Sequence, residues 1–235
     1  MTDTEFAYQG NELELFGHAK NWKRYWSAHV RPHLGECVLE VGAGIGANTS
    51  HLNLCAREWV CLEPDRKMAA SLQARQGTSA LAATRIVEGT IRNLPAVPRF
   101  DSIIYIDVLE HIEDDAAEIV AAKERLRRNG KLIVLSPAHS WLYSPFDAAI
   151  GHFRRYSAKD MRALTCPQLE LISLRYLDSI GMLASIANRF VLKPQMPTLS
   201  QILVWDRVMV PISRLLDPLL SYRIGKSMIA IWRRC

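Results

Sequence analysis

The chain has 235 residues, 49% hydrophobic and 23% charged, with a formal net charge of +5 and a pI near 9.0. That is material for one large α/β domain with a full core, and its basic residues are scattered (pairs at Arg127-Arg128, Arg154-Arg155 and Arg233-Arg234) rather than set in a stripe for nucleic acid. Five cysteines without a C-x-x-C pair speak against a disulfide framework, and neither a secretory signal nor an apolar run of membrane-spanning length is visible, so the expectation is a cytoplasmic protein.

Residues 11–30 read as a helix, in which Trp22, Tyr25 and Trp26, at i, i+3 and i+4, put three rings on one face. That face either packs on a sheet or covers a ligand, and residues 1–35 are taken as a helical lid. Pro32 and Gly35 close it. Strands and helices then alternate, the pattern of a parallel sheet with helices on both faces. Strands are expected at 37–41, 58–63, 85–88, 100–106 and 131–136. Helices are expected at 47–55, after the second strand to about Arg75, and at 114–128, the last stopped by Asn129-Gly130.

After the fifth strand the regularity lapses. Residues 138–156 carry His139, Tyr143, Asp147, His152, Arg154, Arg155 and Tyr156 without a clear period, and such a segment at a strand's carboxyl end is functional in a compact domain. Ser157 is placed to cap a helix reaching 164. A sixth strand is expected at 169–177 and the last at 227–232. Between them lies a helical insertion at about 180–220, rich in leucine and broken by Pro194, Pro197, Pro211 and Pro218. It reads as a cap, a dimer interface or a surface for a lipid-linked acceptor.

The stretch Val38-Leu39-Glu40-Val41-Gly42-Ala43-Gly44-Ile45-Gly46 reads as a buried strand and a glycine turn that lets a ligand approach the backbone. Glu40 stands out. A central parallel strand should be apolar, so a carboxylate in it needs a partner. The ammonium group of S-adenosylmethionine (SAM) would supply one. The permissive dinucleotide fingerprint is also met by Gly42-x-Gly44-x-x-Ala47, with Glu63 about 20 residues on, so on this loop alone NAD(P) stays open.

Taken in order, VLEVGAGIGANT, then LEPD at 62–65, FDSIIYIDVLEHIEDD at 100–115 and GKLIVLSPA at 130–138 resemble a class I SAM-dependent methyltransferase from about Trp22 to Tyr176. The resemblance implies a Rossmann-like α/β fold with a seven-stranded, mostly parallel sheet whose last strand is antiparallel. Residues 36–235 would be the methyltransferase domain, with the insertion inside it. It implies that Gly42, Ala43 and Gly44 line the methionyl part of the cofactor, with Glu40 supporting its ammonium. Glu63 would accept from the ribose and Pro64 wall the adenine. Thr90 and Ile91 would meet the adenine, although many relatives carry an acid where this chain has Thr90. Asp107 and Val108 would lie under the methionyl group and adenosine, His111 would face the transferred methyl, and Tyr25 would offer its ring to the sulfonium.

The segment PAHSWLYSPFDAAIGHFRRYS also resembles a bacterial subgroup of natural-product or cell-envelope methyltransferases in which the GH-x-RRY element shapes the acceptor pocket. His152 is therefore expected as base or acceptor ligand and Arg155 or Arg154 as a clamp for a carboxylate or phosphate. His139, Tyr143 and Tyr156 would complete the acceptor side. No metal is assigned. The reading is methyl transfer from SAM, leaving S-adenosylhomocysteine (SAH), to a small or lipid- or sugar-linked acceptor, on oxygen rather than nitrogen. An N-methyltransferase, an NAD(P)-dependent oxidoreductase and a non-catalytic SAM-binding subunit remain alternatives, and the insertion could make a homodimer.

Overall fold

Period-two alternation along the central strands sorts the core into two layers. In β1 (Cys37–Val41) Val38 faces one layer and Leu39 and Val41 the other. In β2 (Glu58–Glu63) Trp59 and Cys61 oppose Val60 and Leu62, and in β4 (Phe100–Ile106) Ile104 and Ile106 oppose Ile103 and Tyr105. All are buried, so these strands are covered on both faces, as parallel strands require. The computed structural model describes residues 12–52, 56–76, 84–187, 189 and 196–235.

With β3 (Thr84–Glu88), β5 (Leu126–Pro137), β6 (Leu169–Leu177) and β7 (Ser227–Arg234), the strands form one sheet in the order β3-β2-β1-β4-β5-β7-β6. β7 runs antiparallel to β5 and β6, and the remaining pairs are parallel. This is the Rossmann-like sheet expected from the sequence. The strands at 58–63, 100–106 and 169–177 also fall where periodicity puts them.

Other boundaries moved. The helix expected to reach Arg128 is α5 (Asp115–Arg125), because buried Leu126 pairs with Phe100 and starts β5, with Asn129 turned to a φ of +64°. The helix expected over 47–55 is described only as α3 (Thr49–Leu52), and Cys55 lies outside the described residues. Ser157 does cap, accepting from the Asp160 amide at the start of α7 (Ala158–Ala163). The helix after β2 is α4 (Arg66–Ala74), capped by Asp65.

The amino-terminal helix is two pieces, α1 (Glu12–Gly17) and α2 (Lys20–Val30). α2 has no side-chain cap of its own, since Ala19 stands at that place. Its cap comes from far along the chain. The Asp206 carboxylate accepts from the amides of Trp22 at 2.8 Å and Asn21 at 3.2 Å, meeting the free donors and positive end of the helix. A second tether is Tyr25, whose hydroxyl donates to Asp217 at 2.7 Å.

Both aspartates belong to the insertion, which comprises α8 (Ser179–Ala187), α9 (Leu199–Val204), a π-helical turn at Trp205–Met209 and α10 (Val210–Leu219). Pro211 and Pro218 do not break it. The Val210 amide bonds back to Trp205, shifting the register just before Pro211, so the missing proline donor falls where the helix has already widened. Pro218 sits in the last turn, Pro197 precedes the Thr198 cap, and Pro194 lies outside the described residues.

The outer side of this helical run is a ridge of Val204, Val208, Ile212, Leu215 and Leu219, the last two 73% and 79% exposed. Among the described residues no helix is long and apolar enough to cross a membrane. Truncating Asp206 to alanine should cost about 1–3 kcal/mol of stability, because it strips from α2 the side-chain cap seen among the described residues. Denaturant unfolding of Asp206→Ala beside Asp206→Asn would measure this, with asparagine retaining part of the loss.

Candidate active site

Where β1, β2 and β4 end, a crevice of about 560 Å³ opens. Its floor is the glycine turn. Gly42, at a φ of +68°, packs so closely that a Cβ there would stand 2.6 Å from Val108 Cγ2, so both backbone and space demand glycine. Gly44 donates its amide to Glu63 Oε2 at 2.7 Å, and Glu63 Oε1 accepts from the Asp65 amide at 2.9 Å. Burial raises the Glu63 pKa against the pull of these two hydrogen bonds.

Gly42, Ala43, Gly44, Glu63 and Pro64 line one part of the crevice. Thr90, Ile91, Asp107 and Val108 line another. Thr90 and Asn93 form a capping box around the turn at Ile91–Asn93 that holds this wall. Nine of the eleven residues expected to bind the cofactor thus meet in one place, and Glu40 and Tyr25 do not line it.

Glu40 lies just behind the turn, 1% exposed. Its Oε2 accepts from Thr49 Oγ1 at 2.7 Å and Trp59 Nε1 at 2.9 Å. Burial nonetheless lifts its pKa to about 7, with these two donors and the positive charge of Lys23 pulling the other way. Lys23 reaches in from α2, donates to the Ala47 carbonyl at 3.3 Å and lines the crevice. Burial lowers its pKa, opposed by Asp107 and Glu40. Asp107, at a φ of +55°, is open to both cavities, and desolvation by their walls raises its pKa to about 6 despite Lys226 and Lys23.

A second cavity, about 550 Å³, lies between the carboxyl ends of β4 and β5, the segment 142–155 and the insertion. Phe16, Trp22, Asp107 and His111 line both spaces. Glu110, His152 and Arg155 belong to the second. His152 Nδ1 sits 3.0 Å from Asp147 Oδ1, which also accepts from Arg155 Nε at 2.8 Å. Burial would raise the Asp147 pKa, but the hydrogen bonds from His152, Arg155 and Ser144 outweigh it and hold the carboxyl well below the usual range. His111 meets His152 edge-on with ring centres 4.6 Å apart, and burial and that neighbour depress its pKa to about 4.

Glu110, in the turn at Leu109–His111, is fully buried, and burial and Asp107 raise its pKa. Its Oε2 accepts from Ser136 Oγ at 2.9 Å, while Oε1 has no hydrogen-bond partner and lies 3.8 Å from His152 Nε2.

Six expected residues lie outside both linings, Glu40 behind the turn and five others. Tyr25 is turned to Asp217 in the insertion, not toward a sulfonium. His139 stacks on Tyr176 and contacts the Gly225 carbonyl, and Tyr143 donates to the His152 carbonyl. In the extended run before α7 side chains alternate. Arg155 therefore faces the cavity, while Arg154 and Tyr156 turn together to Asp115, at 2.9 Å and 2.8 Å. Lys23 and Lys226 were not expected in the two linings, and only chain folding brings them there. Glu110 was legible as part of Asp107-x-x-Glu110-His111, but its unpaired oxygen was not.

A methyltransferase-domain family model matches residues 39–134. A search of curated proteins finds no match. Among solved structures, an S-adenosylmethionine-dependent methyltransferase from Mesorhizobium loti is similar at a TM-score of 0.58 and 16% identity, over 94% of this chain and all (100%) of that one. The YcgJ protein of Bacillus subtilis gives 0.59 and 15%, over 92% and 98%. Coclaurine N-methyltransferase bound to N-methylheliamine and SAH gives 0.60 and 15%, over 91% and 71%. At such identities the likeness is one of fold. Together with the family match over the glycine turn and the first five strands, the sheet order and the crevice give this chain a methyltransferase domain on the fold of the class I, SAM-dependent methyltransferases.

Proposed function

We propose that the chain methylates a hydroxyl of a lipid-linked or otherwise anionic acceptor. The observation that carries this is the wall common to crevice and cavity, formed by Phe16, Trp22, Asp107 and His111. A sulfonium methyl in the crevice would face an acceptor in the cavity across it, and in-line displacement depends chiefly on such alignment. The oxygen is activated at the corner of Glu110, His111 and His152, where Asp147 fixes the His152 ring. A corner of imidazole and carboxylate favours an ionisable hydroxyl over an amine. Arg155, already paired with Asp147, and Lys226 supply the positive charge of that side.

On the cofactor side, Gly42, Ala43 and Gly44 take the methionyl group, Glu63 and Pro64 the ribose and adenine edge, and Thr90 and Ile91 the adenine. Glu40 supplies charge beneath the ammonium. The lipid-linked reading is supported by the ridge, since Val204 belongs both to it and to the acceptor cavity. The two acids of residues 199–224, Asp206 and Asp217, are buried, whereas Arg207, Arg214 and Arg223 are exposed. An apolar ridge with only positive charges at the surface matches an anionic bilayer.

Three outcomes are expected. His152→Ala should lower kcat about 10²–10⁴-fold while SAH binding stays within about twofold; undiminished turnover would remove His152 from the reaction. Glu40 has a folded pKa raised from 4.5 to about 7, so its contribution to stability is present below the lower value and is lost as pH rises through the upper one. An ammonium ligand favours the charged form, so SAH affinity should tighten over that window, and Glu40→Gln should flatten the rise; the slope left by Asp107 titrating near 6 is the baseline. An unchanged slope in the variant would exclude Glu40. Finally, the protein should co-sediment with phosphatidylglycerol vesicles more than with neutral ones, and Leu215→Asp/Leu219→Asp should abolish this without loss of SAH binding. No sedimentation, or a dimer that the double variant dissolves, would assign the ridge to a second copy instead.

A further inference from the structure

We propose that Glu110, His111 and His152 hold a divalent first-row transition-metal ion, with coordination positions open toward the acceptor cavity. The role given to the ion rests on the methyl-transfer reading above; its binding does not.

The first ground is proximity. One donor atom from each residue lies within 4.8 Å of the others, and Glu110 Oε1 and His152 Nε2 are 3.8 Å apart. Ligands about 2.1 Å from a shared ion stand roughly 3–3.5 Å from one another, so closing the set takes side-chain shifts of about 1 Å. A direct hydrogen bond between Glu110 and His152 would instead bring the two atoms within about 3.2 Å, which they do not reach.

The second ground is the orphaned oxygen. Glu110 is fully buried, and Ser136 occupies only Oε2. Oε1 has no hydrogen-bond partner and lies 3.8 Å from His152 Nε2. A buried carboxylate oxygen left this way is costly unless a cation meets it. The nearby cations are committed elsewhere. Arg155 bonds to Asp147, and Lys226 lies 3.6 Å from Asp178 and over the Trp205 ring.

The third ground is the outer layer of contacts. Metal-binding imidazoles use one nitrogen for the ion and give the other to a carboxylate or a carbonyl, which fixes the ring. His152 offers Nδ1 to Asp147, itself held by Arg155 and Ser144. His111 hydrogen-bonds to the Gly151 backbone. Two imidazoles and one carboxylate favour manganese, iron, cobalt or zinc over magnesium or calcium, which prefer all-oxygen sites.

At this wall the ion would bind the acceptor hydroxyl and make it more acidic. The proton leaves to solvent, and an oxygen lone pair forms the O–CH₃ bond. The S–CH₃ bond breaks, its electron pair returns to sulfur, and SAH and the methyl ether result.

The test uses the whole chain after chelator treatment, titrated separately with Mn²⁺ (followed by electron paramagnetic resonance) and with Co²⁺ and Zn²⁺ (by calorimetry). One ion per chain is expected. Glu110→Gln and His152→Ala, each first shown to bind SAH and so to be folded, should weaken binding at least about tenfold. Wild-type protein that binds SAH but none of the three ions overturns the proposal, as does ion binding that both variants retain. Ion binding lost in the variants of a protein that methylates nothing would leave the site standing and defeat the functional reading instead.

Discussion

Carboxylates withdrawn from water at one end of a parallel sheet set the terms for everything else in this molecule. Glu40, Glu63, Asp107, Glu110 and Asp147 all lie there, four of them deeply buried and Asp107 open to the crevice. Desolvation works against charge on every one of them, and each is met differently. Glu63 takes two backbone amides, Glu40 a hydroxyl and an indole, and Asp147 an imidazole and a guanidinium. Asp107 feels the fields of two lysines, and one oxygen of Glu110 has no hydrogen bond. The less satisfied groups are those at the wall between the two cavities, where incoming positive charge would be most strongly favoured.

The rest of the chain encloses that end. α2 covers the crevice with Trp22, Lys23 and Trp26, and the insertion walls the acceptor cavity. The two are fastened by buried aspartates. Asp206 caps α2, Asp217 takes the Tyr25 hydroxyl and the amides of Asp178 and Ser179, and Asp178 takes Trp205 Nε1 and Ser213 Oγ. Cofactor cover and acceptor wall therefore form one mechanical unit. A change in the insertion would be felt at the crevice through α2, with no direct contact required.

The comparison with the sequence divides along the same line. The glycine turn, Glu40 and Glu63 were legible because a strand–turn–helix fixes where each neighbour must lie, and Pro64 and the Asp107 region were placed by the family resemblance. The acceptor side was legible only in part. His152 and Arg155 do reach the cavity, but Arg154, Tyr156, His139 and Tyr143 serve its support. An irregular segment has no period from which facing can be read, so residue type identified its importance and not its orientation. Tyr25 was read for its ring, and its hydroxyl decided its place.

By itself, the sequence determined the strands and the cofactor turn, since apolar alternation and glycine conformations act over a few neighbouring residues, while the reversed last strand followed only from the family resemblance. Only the tertiary structure decided that α2 is capped from the insertion, that the helix survives Pro211 through a π turn, and that Glu110 lies beside His111 and His152 with one oxygen lacking a hydrogen bond. Each joins or balances groups separated along the chain or set in an irregular turn. Burial and distance govern such pairings, and no local pattern carries either.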